Sequence, residues 1–130
     1  MEMEKSYLIS GAVFVMTSII LGAFGSHALR PLLSENSFYG YSVATTYLSF
    51  QGIGLLLLGL IQLQTGSFPN SIYYCLFIGT IVFSGSILLL TIGKLYDWPL
   101  SFIGPLTPIG GLLLIIGWAL MIKQLLPLKF

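Results

Sequence analysis

The sequence predicts an all-α integral membrane protein, a single four-helix transmembrane bundle over residues 1–130 with short loops. Three observations carry this. Hydrophobic residues fill 56% of the positions and charged residues only 7%, with a mean hydropathy of +0.98. A soluble domain carries roughly a quarter charged residues, so this chain lacks the polar surface to stay in water. Four windows, 7–26, 42–64, 72–93 and 108–126, have the length and apolar character of a membrane span, which needs about 20 residues. Lastly, small residues recur at every seventh position: Gly11, Ser18, Gly25; Gly52, Gly59, Gly66; Gly79, Ser86, Gly93; Gly110, Gly117. A seven-residue repeat keeps one stripe toward a neighbour in a left-handed bundle, and helices in lipid associate by close approach at small residues. Gly25, Gly52, Gly59, Gly79, Ser86, Gly110 and Gly117 are therefore the expected packing positions.

The first window follows a short head that carries more acid than base. Its apolar run from Tyr7 to Phe24 exceeds the ~7–15 residues of a signal-peptide core, so it reads as a span. The run passes into Gly22-Ala-Phe-Gly-Ser-His-Ala-Leu-Arg-Pro31, which holds the only histidine and the only arginine of the chain. Pro31 predicts a helix end or kink, and Ser34-Glu-Asn-Ser37 a polar turn or cap. Phe38, Tyr39 and Tyr41 predict an aromatic belt at headgroup level before the second window. The turn-rich stretch from Gln64 to Ser71 makes spans two and three an antiparallel hairpin. Gly93-Lys94 fits a helix C-cap, with Gly free to take positive φ and Lys beside the negative dipole end. Tyr96-Asp-Trp-Pro-Leu-Ser-Phe102 reads as interfacial. Thr107-Pro108 fits a helix start, Thr capping and Pro at the first helical position, and Pro127 closes the last helix.

All acidic residues lie outside the windows, and so do the basic ones except Lys123, which can snorkel to the headgroups. No acid pairs with a base inside the membrane, so no proton relay is visible. A net charge of +1 supplies no basic patch for nucleic acid. The one cysteine, Cys75, lies in an apolar run and forms neither a disulfide nor a zinc site alone; it reads as a small buried side chain. There is no phosphate loop, no Ser/His/Asp set and no second histidine. The expectation is no enzyme, no metal site and no cofactor.

The polar residues that remain are the candidates for binding. His27 and Arg30, three apart, share a face if the helix continues. One reading makes His27 a titratable or coordinating group and Arg30 a binder of anions or headgroups; the other makes both interfacial anchors. Tyr47 and Gln51 lie four apart in the second window, and an intramembrane amide either holds a ligand or makes an interhelical hydrogen bond of roughly 1 kcal/mol. Ser84-Gly85-Ser86 reads as a packing unit. With alternating spans, the first and third loops share one side of the membrane, which would gather His27, Arg30 and Thr107 near Asp97 and Trp98, with Tyr47 and Gln51 below.

Four motifs in order carry a resemblance: Leu21-Gly-Ala-Phe-Gly-Ser-His-Ala-Leu29; Ala44-Thr-Thr-Tyr47 leading to Phe50-Gln51; Phe83-Ser-Gly-Ser86; and Gly104-Pro-Leu-Thr-Pro-Ile-Gly-Gly111 with Gly117-Trp118. On these, nearly the whole chain resembles the small membrane proteins of the domain of unknown function 423, the UPF0382 membrane proteins of bacteria, with eukaryotic relatives in the transmembrane protein 256 group. The resemblance implies a four-helix membrane fold and brings no established activity. Two departures matter: members usually show His where this chain has Gln51, and often Trp where it has Tyr41. Ion or metal chemistry by such a His would not carry over to Gln51.

The expected function is that of a non-enzymatic structural or accessory membrane component that binds lipid or protein partners, with self-association into a homo-oligomer as one form. The alternative is a small transporter or channel with a polar site near His27, Arg30 and Gln51. A membrane enzyme acting on a lipid or quinone ranks third and would need a cleft open to the bilayer. Lys5, Lys123 and Lys129 against Arg30 and Lys94 place both termini on the cytoplasmic side of a bacterial cell membrane.

Overall fold

A computed structural model describes residues 2–66 and 68–127. Four helices form: α1 (Glu2–Phe24), α2 (Glu35–Thr65), α3 (Asn70–Leu95) and α4 (Leu106–Leu125). A π-turn (Gly25–Leu29) prolongs α1, and a short 3₁₀ turn (Ser101–Ile103) precedes α4. All four are long and apolar enough to cross a membrane. At about 1.5 Å per residue, the 31 residues of α2 reach about 46 Å. That exceeds the roughly 30 Å hydrocarbon core, so an upright α2 would extend beyond it, and the turns that precede the apolar window at Ser42 are the part that would do so. Each window read from the sequence lies inside a helix, apart from Leu126 just past α4. Lys129, used in the orientation argument, lies outside the described residues.

The bundle is two helical hairpins laid side by side. α1 pairs closely with α2 and α3 with α4, while α2 and α3 join the two pairs. Glycine sets the closeness of both pairings. A Cβ built on Gly11 would lie 2.7 Å from the Gly52 carbonyl oxygen, and one on Gly52 2.9 Å from that of Gly11, so the two backbones meet directly. Two turns along, a Cβ on Gly59 would lie 3.0 Å from Leu8. Across α3–α4, a Cβ on Gly79 would press on Leu114 at 3.0 Å and one on Gly117 on Leu76 at 2.7 Å; one on Gly110 would strike the backbone of Phe83. Ser86 hydrogen-bonds the Phe83 carbonyl at 3.0 Å and shares a 2.7 Å hydrogen bond with the Thr107 hydroxyl. Gly85 differs from its neighbours: a Cβ there would meet nothing within 4 Å. Between the helices Tyr7, Leu55, Ile72, Leu76 and Met121 are fully buried, and Phe68 from the second loop closes that end.

Local chemistry sets the element ends, in several places otherwise than the sequence reading has it. Ser34 caps α2, its hydroxyl accepting from the Ser37 N–H at 3.2 Å. Gly66 ends α2 at φ 94°, which glycine adopts without a Cβ clash. The expected cap at Gly93-Lys94 is overturned: α3 runs on to Leu95 and the positive φ falls on Asp97 (55°), with the Trp98 N–H bonding back to the Gly93 carbonyl at 2.9 Å. Asp tolerates this conformation because its short polar side chain can bond locally. Gly93 instead makes room for Leu100. The start of α4 also moves: Leu106 is its first residue, preceded by Pro105, and the Thr107 hydroxyl bonds Ser86 rather than capping. Pro108 sits at the third helical position, where its missing N–H costs nothing.

The aromatic belt loses one member. Tyr39 is exposed, but Tyr41 is buried at 2% exposure. Its ring lies directly over Gly25, and its hydroxyl donates to the Leu21 carbonyl at 2.6 Å. The wide turn begins at Gly25, with the Arg30 N–H bonded to the Gly25 carbonyl at 2.8 Å. A helix continuing unchanged through His27 and Arg30 is therefore not what forms.

Candidate functional site

Tyr47, Gln51 and Gly54 follow one another on α2 at spacings of four and three, so they share a face. Gly54 presents no side chain, and the six-membered ring of Trp118 from α4 fills the gap: a Cβ on Gly54 would lie 2.9 Å from Trp118 Cζ2. Seated there, the indole Nε1–H donates to Gln51 Oε1 at 3.1 Å. Indole is a donor only, so this bond dictates which way the Gln51 amide faces. The oxygen is committed to Trp118, and the NH₂ is the donor left to the cleft that Gln51 lines. Gln51 is only 8% exposed, so its polar end is held rather than solvated.

The cleft between α2, α3 and α4 encloses about 580 Å³ and is lined by Tyr47, Gln51, Phe83, Leu114 and Trp118, with Gly111 among the residues at its wall. Its rim carries Ile115 and Ile122, both well exposed, so it opens toward the bilayer. The Tyr47 and Phe83 rings lie 5.0 Å apart and tilted by 57°. This volume lies within the range of small-molecule pockets, roughly 300–1,000 Å³, and its walls are apolar with few polar groups, as such pockets are. What the arrangement can do is grip a flat or chain-like apolar body and offer one hydrogen-bond donor to an oxygen on it.

The other residues singled out from the sequence do not gather here. Thr107 is held by Ser86 on α3. Arg30 is exposed, its guanidinium 4.9 Å from the centre of the Phe38 ring, in a groove of about 520 Å³ with Leu33, Glu35, Tyr39 and Ser42. His27 is exposed on the π-turn and lines neither cavity. Loop one and the end of α3 do share a pole: Leu32, Ser34 and Ser37 line a recess with Lys94 and Leu95. Among the described residues no cluster of three or more His, Cys, Asp or Glu could hold a metal ion.

Sequence reasoning missed Trp118, Phe83 and Gly54 as parts of this site. A signal for the first was present, since a buried indole N–H in an apolar helix must find an acceptor, and Gln51 is the intramembrane amide on offer. It also missed a second buried polar group near the opposite end. Tyr7 and Gln62 are each 1% exposed, and neither the Tyr7 hydroxyl nor the Gln62 amide has a hydrogen-bond partner among the described residues. The Tyr7 ring packs edge-on against Tyr73 at 5.0 Å.

Residues 21–111 match the model of a family described as protein of unknown function (DUF423). A UPF0382 membrane protein of Staphylococcus saprophyticus is 37% identical over 118 residues, covering 91% of this chain and 94% of its own. A UPF0382 membrane protein of Staphylococcus epidermidis is 38% identical, covering 91% of this chain and 93% of its own. One of Staphylococcus haemolyticus is 36% identical over the same shares. No solved structure matches.

Proposed function

The chain belongs to the DUF423 family, whose relatives are named as membrane proteins, and from that premise we propose a non-enzymatic accessory role in which the α2–α4 cleft holds a lipid-like amphiphile. The observation that supports this is the pairing of an apolar, aromatic-walled cleft open to the bilayer with one oriented amide donor. The ligand class that fits has an apolar body and an acceptor oxygen (a carbonyl, ester or ether) near one end. Among the described residues no acid, base or nucleophile lines the cleft besides the Tyr47 phenol, which is why a binding role is preferred to catalysis.

The test is mass spectrometry of compounds that co-purify in mild detergent. The parent protein should retain an oxygen-bearing apolar compound, and Gln51→Leu should retain about fivefold less of it, the equivalent of one intramembrane hydrogen bond of roughly 1 kcal/mol. Gln51→His should retain it, because a neutral imidazole offers one acceptor to Trp118 and one N–H to the cleft. An identical set of compounds on parent and Gln51→Leu, both folded, would refute the reading. A transporter or channel is the second reading. It would need a polar path, whereas Leu55, Leu76, Leu114 and Met121 occupy the space between helices, so copies assembled around a shared path would have to supply it. In this reading the protein sits in a bacterial cell membrane with both termini cytoplasmic, the side that the lysines flanking the termini favour.

A further inference from the structure

The groove that Arg30 lines has an unusual charge pattern. It lies at the start of α2, where the apolar window begins, on Phe38, Tyr39 and Ser42. At 100° per residue Phe38 and Ser42 point away from the face that carries Tyr47 and Gln51, and no residue lines both concavities, so the groove and the cleft are separate. The Arg30 side chain is steadied by stacking on Phe38 at 4.9 Å, a contact of the kind worth 0.5–1 kcal/mol at exposed sites. Glu35 lines the same groove, and among the described residues it forms no ion pair with Arg30. A cation and an anion thus face one concavity without neutralising each other. An anionic ligand alone would meet the Glu35 carboxylate, and a cationic ligand alone would meet the guanidinium. A ligand carrying both charges satisfies both: a phosphate on the Arg30 fork and an ammonium on Glu35. The exposed Tyr39 ring and the Ser42 hydroxyl lie within the same groove. Its place beside the start of a helix long and apolar enough to span a membrane, ahead of the apolar window, favours a lipid as the source of that ligand.

We infer that this groove is a headgroup site for a phospholipid bearing a primary ammonium next to its phosphate, since such an ammonium donates N–H groups to the Glu35 carboxylate and a quaternary one has none to donate. The proposal stands apart from the α2–α4 cleft. The experiment is native mass spectrometry of the full chain titrated with phosphatidylethanolamine, phosphatidylglycerol and phosphatidylcholine of matched acyl chains. Phosphatidylethanolamine should bind about threefold to fivefold tighter than either, the scale of one partly exposed ion pair. Glu35→Gln should abolish that preference by weakening phosphatidylethanolamine and strengthening phosphatidylglycerol, while Arg30→Gln should weaken both. A merely structural role for Glu35 would not exchange one lipid for the other. Both side chains are exposed, and circular dichroism verifies that the variants fold. Equal or tighter binding of phosphatidylglycerol by the parent would overturn the proposal, as would an unchanged preference in Glu35→Gln. Soluble phosphoethanolamine competing as well as the lipid would overturn the lipid as its source.

Discussion

Burying a tyrosine hydroxyl without an acceptor is costly, and Tyr41, unlike Tyr7, finds one on the backbone of another helix. Its bond to the Leu21 carbonyl and its ring over Gly25 tie α2 to α1 just where the wide turn begins. Tyr41→Phe keeps the ring and loses only the bond, so thermal unfolding in detergent should show a loss of about 1 kcal/mol. Gly25→Val should cost more, roughly 1–3 kcal/mol, because the added side chain must displace the Tyr41 ring. A Gly25→Val protein as stable as its parent would remove the ring contact from the account. The same scale explains what was legible of the cleft. Tyr47 and Gln51 stand out in sequence because they are polar groups on one face of an apolar span. Trp118 does not, because its bond to Gln51 joins residues 67 positions apart and no local pattern says which faces will meet.

At the scale of elements, windows and glycine rows are readable because length, hydropathy and a seven-residue period are local properties. Element ends are not equally readable, since they answer to competition between neighbours. Gly93 looks like a cap until Leu100 needs its space, and Thr107 looks like one until Ser86 offers its hydroxyl a partner across the α3–α4 interface. The π-turn leaves no mark beyond a glycine, and the Tyr41 ring that lies over that glycine comes from another helix. The rows themselves make a paired test. A leucine at Gly59 must push into Leu8 and Tyr7, each about 3 Å from its Cβ, and should cost roughly 1–3 kcal/mol. A leucine at Gly85 meets open space, and replacing glycine in a helix interior favours the helix by up to about 1 kcal/mol. Gly85→Leu should therefore match or exceed the parent in thermal stability while Gly59→Leu falls below it. Equal losses in the two would show that volume alone, and not the α1–α2 contact, sets the cost.

At the scale of the whole molecule, four spanning helices force both termini to one pole and put loops one and three at the other. The recess shared by Ser34, Ser37 and Lys94 agrees with that arrangement. Which pole faces the cytoplasm rests on charge. Lys5, Lys123 and Lys129 flank the termini, against Arg30 and Lys94 at the loop pole, and basic residues near span ends favour the cytoplasmic side. Acidic residues contribute little to this bias, so Glu2→Cys can report on the terminal pole without shifting it. In a Cys75→Ser background, Glu2→Cys and Leu126→Cys should resist a membrane-impermeant thiol reagent on intact cells and react once the cells are opened. Asn36→Cys and Ser101→Cys, both exposed at the loop pole, should react on intact cells. Glu2→Cys and Leu126→Cys reacting from opposite sides would contradict four spans. Both reacting from outside would keep the four spans and invert the molecule, and the Arg30–Glu35 groove would then sample the lipids of the inner leaflet. The lipid titration and the labelling therefore constrain each other: a groove selective for an ammonium-bearing phospholipid must lie in a leaflet that contains one.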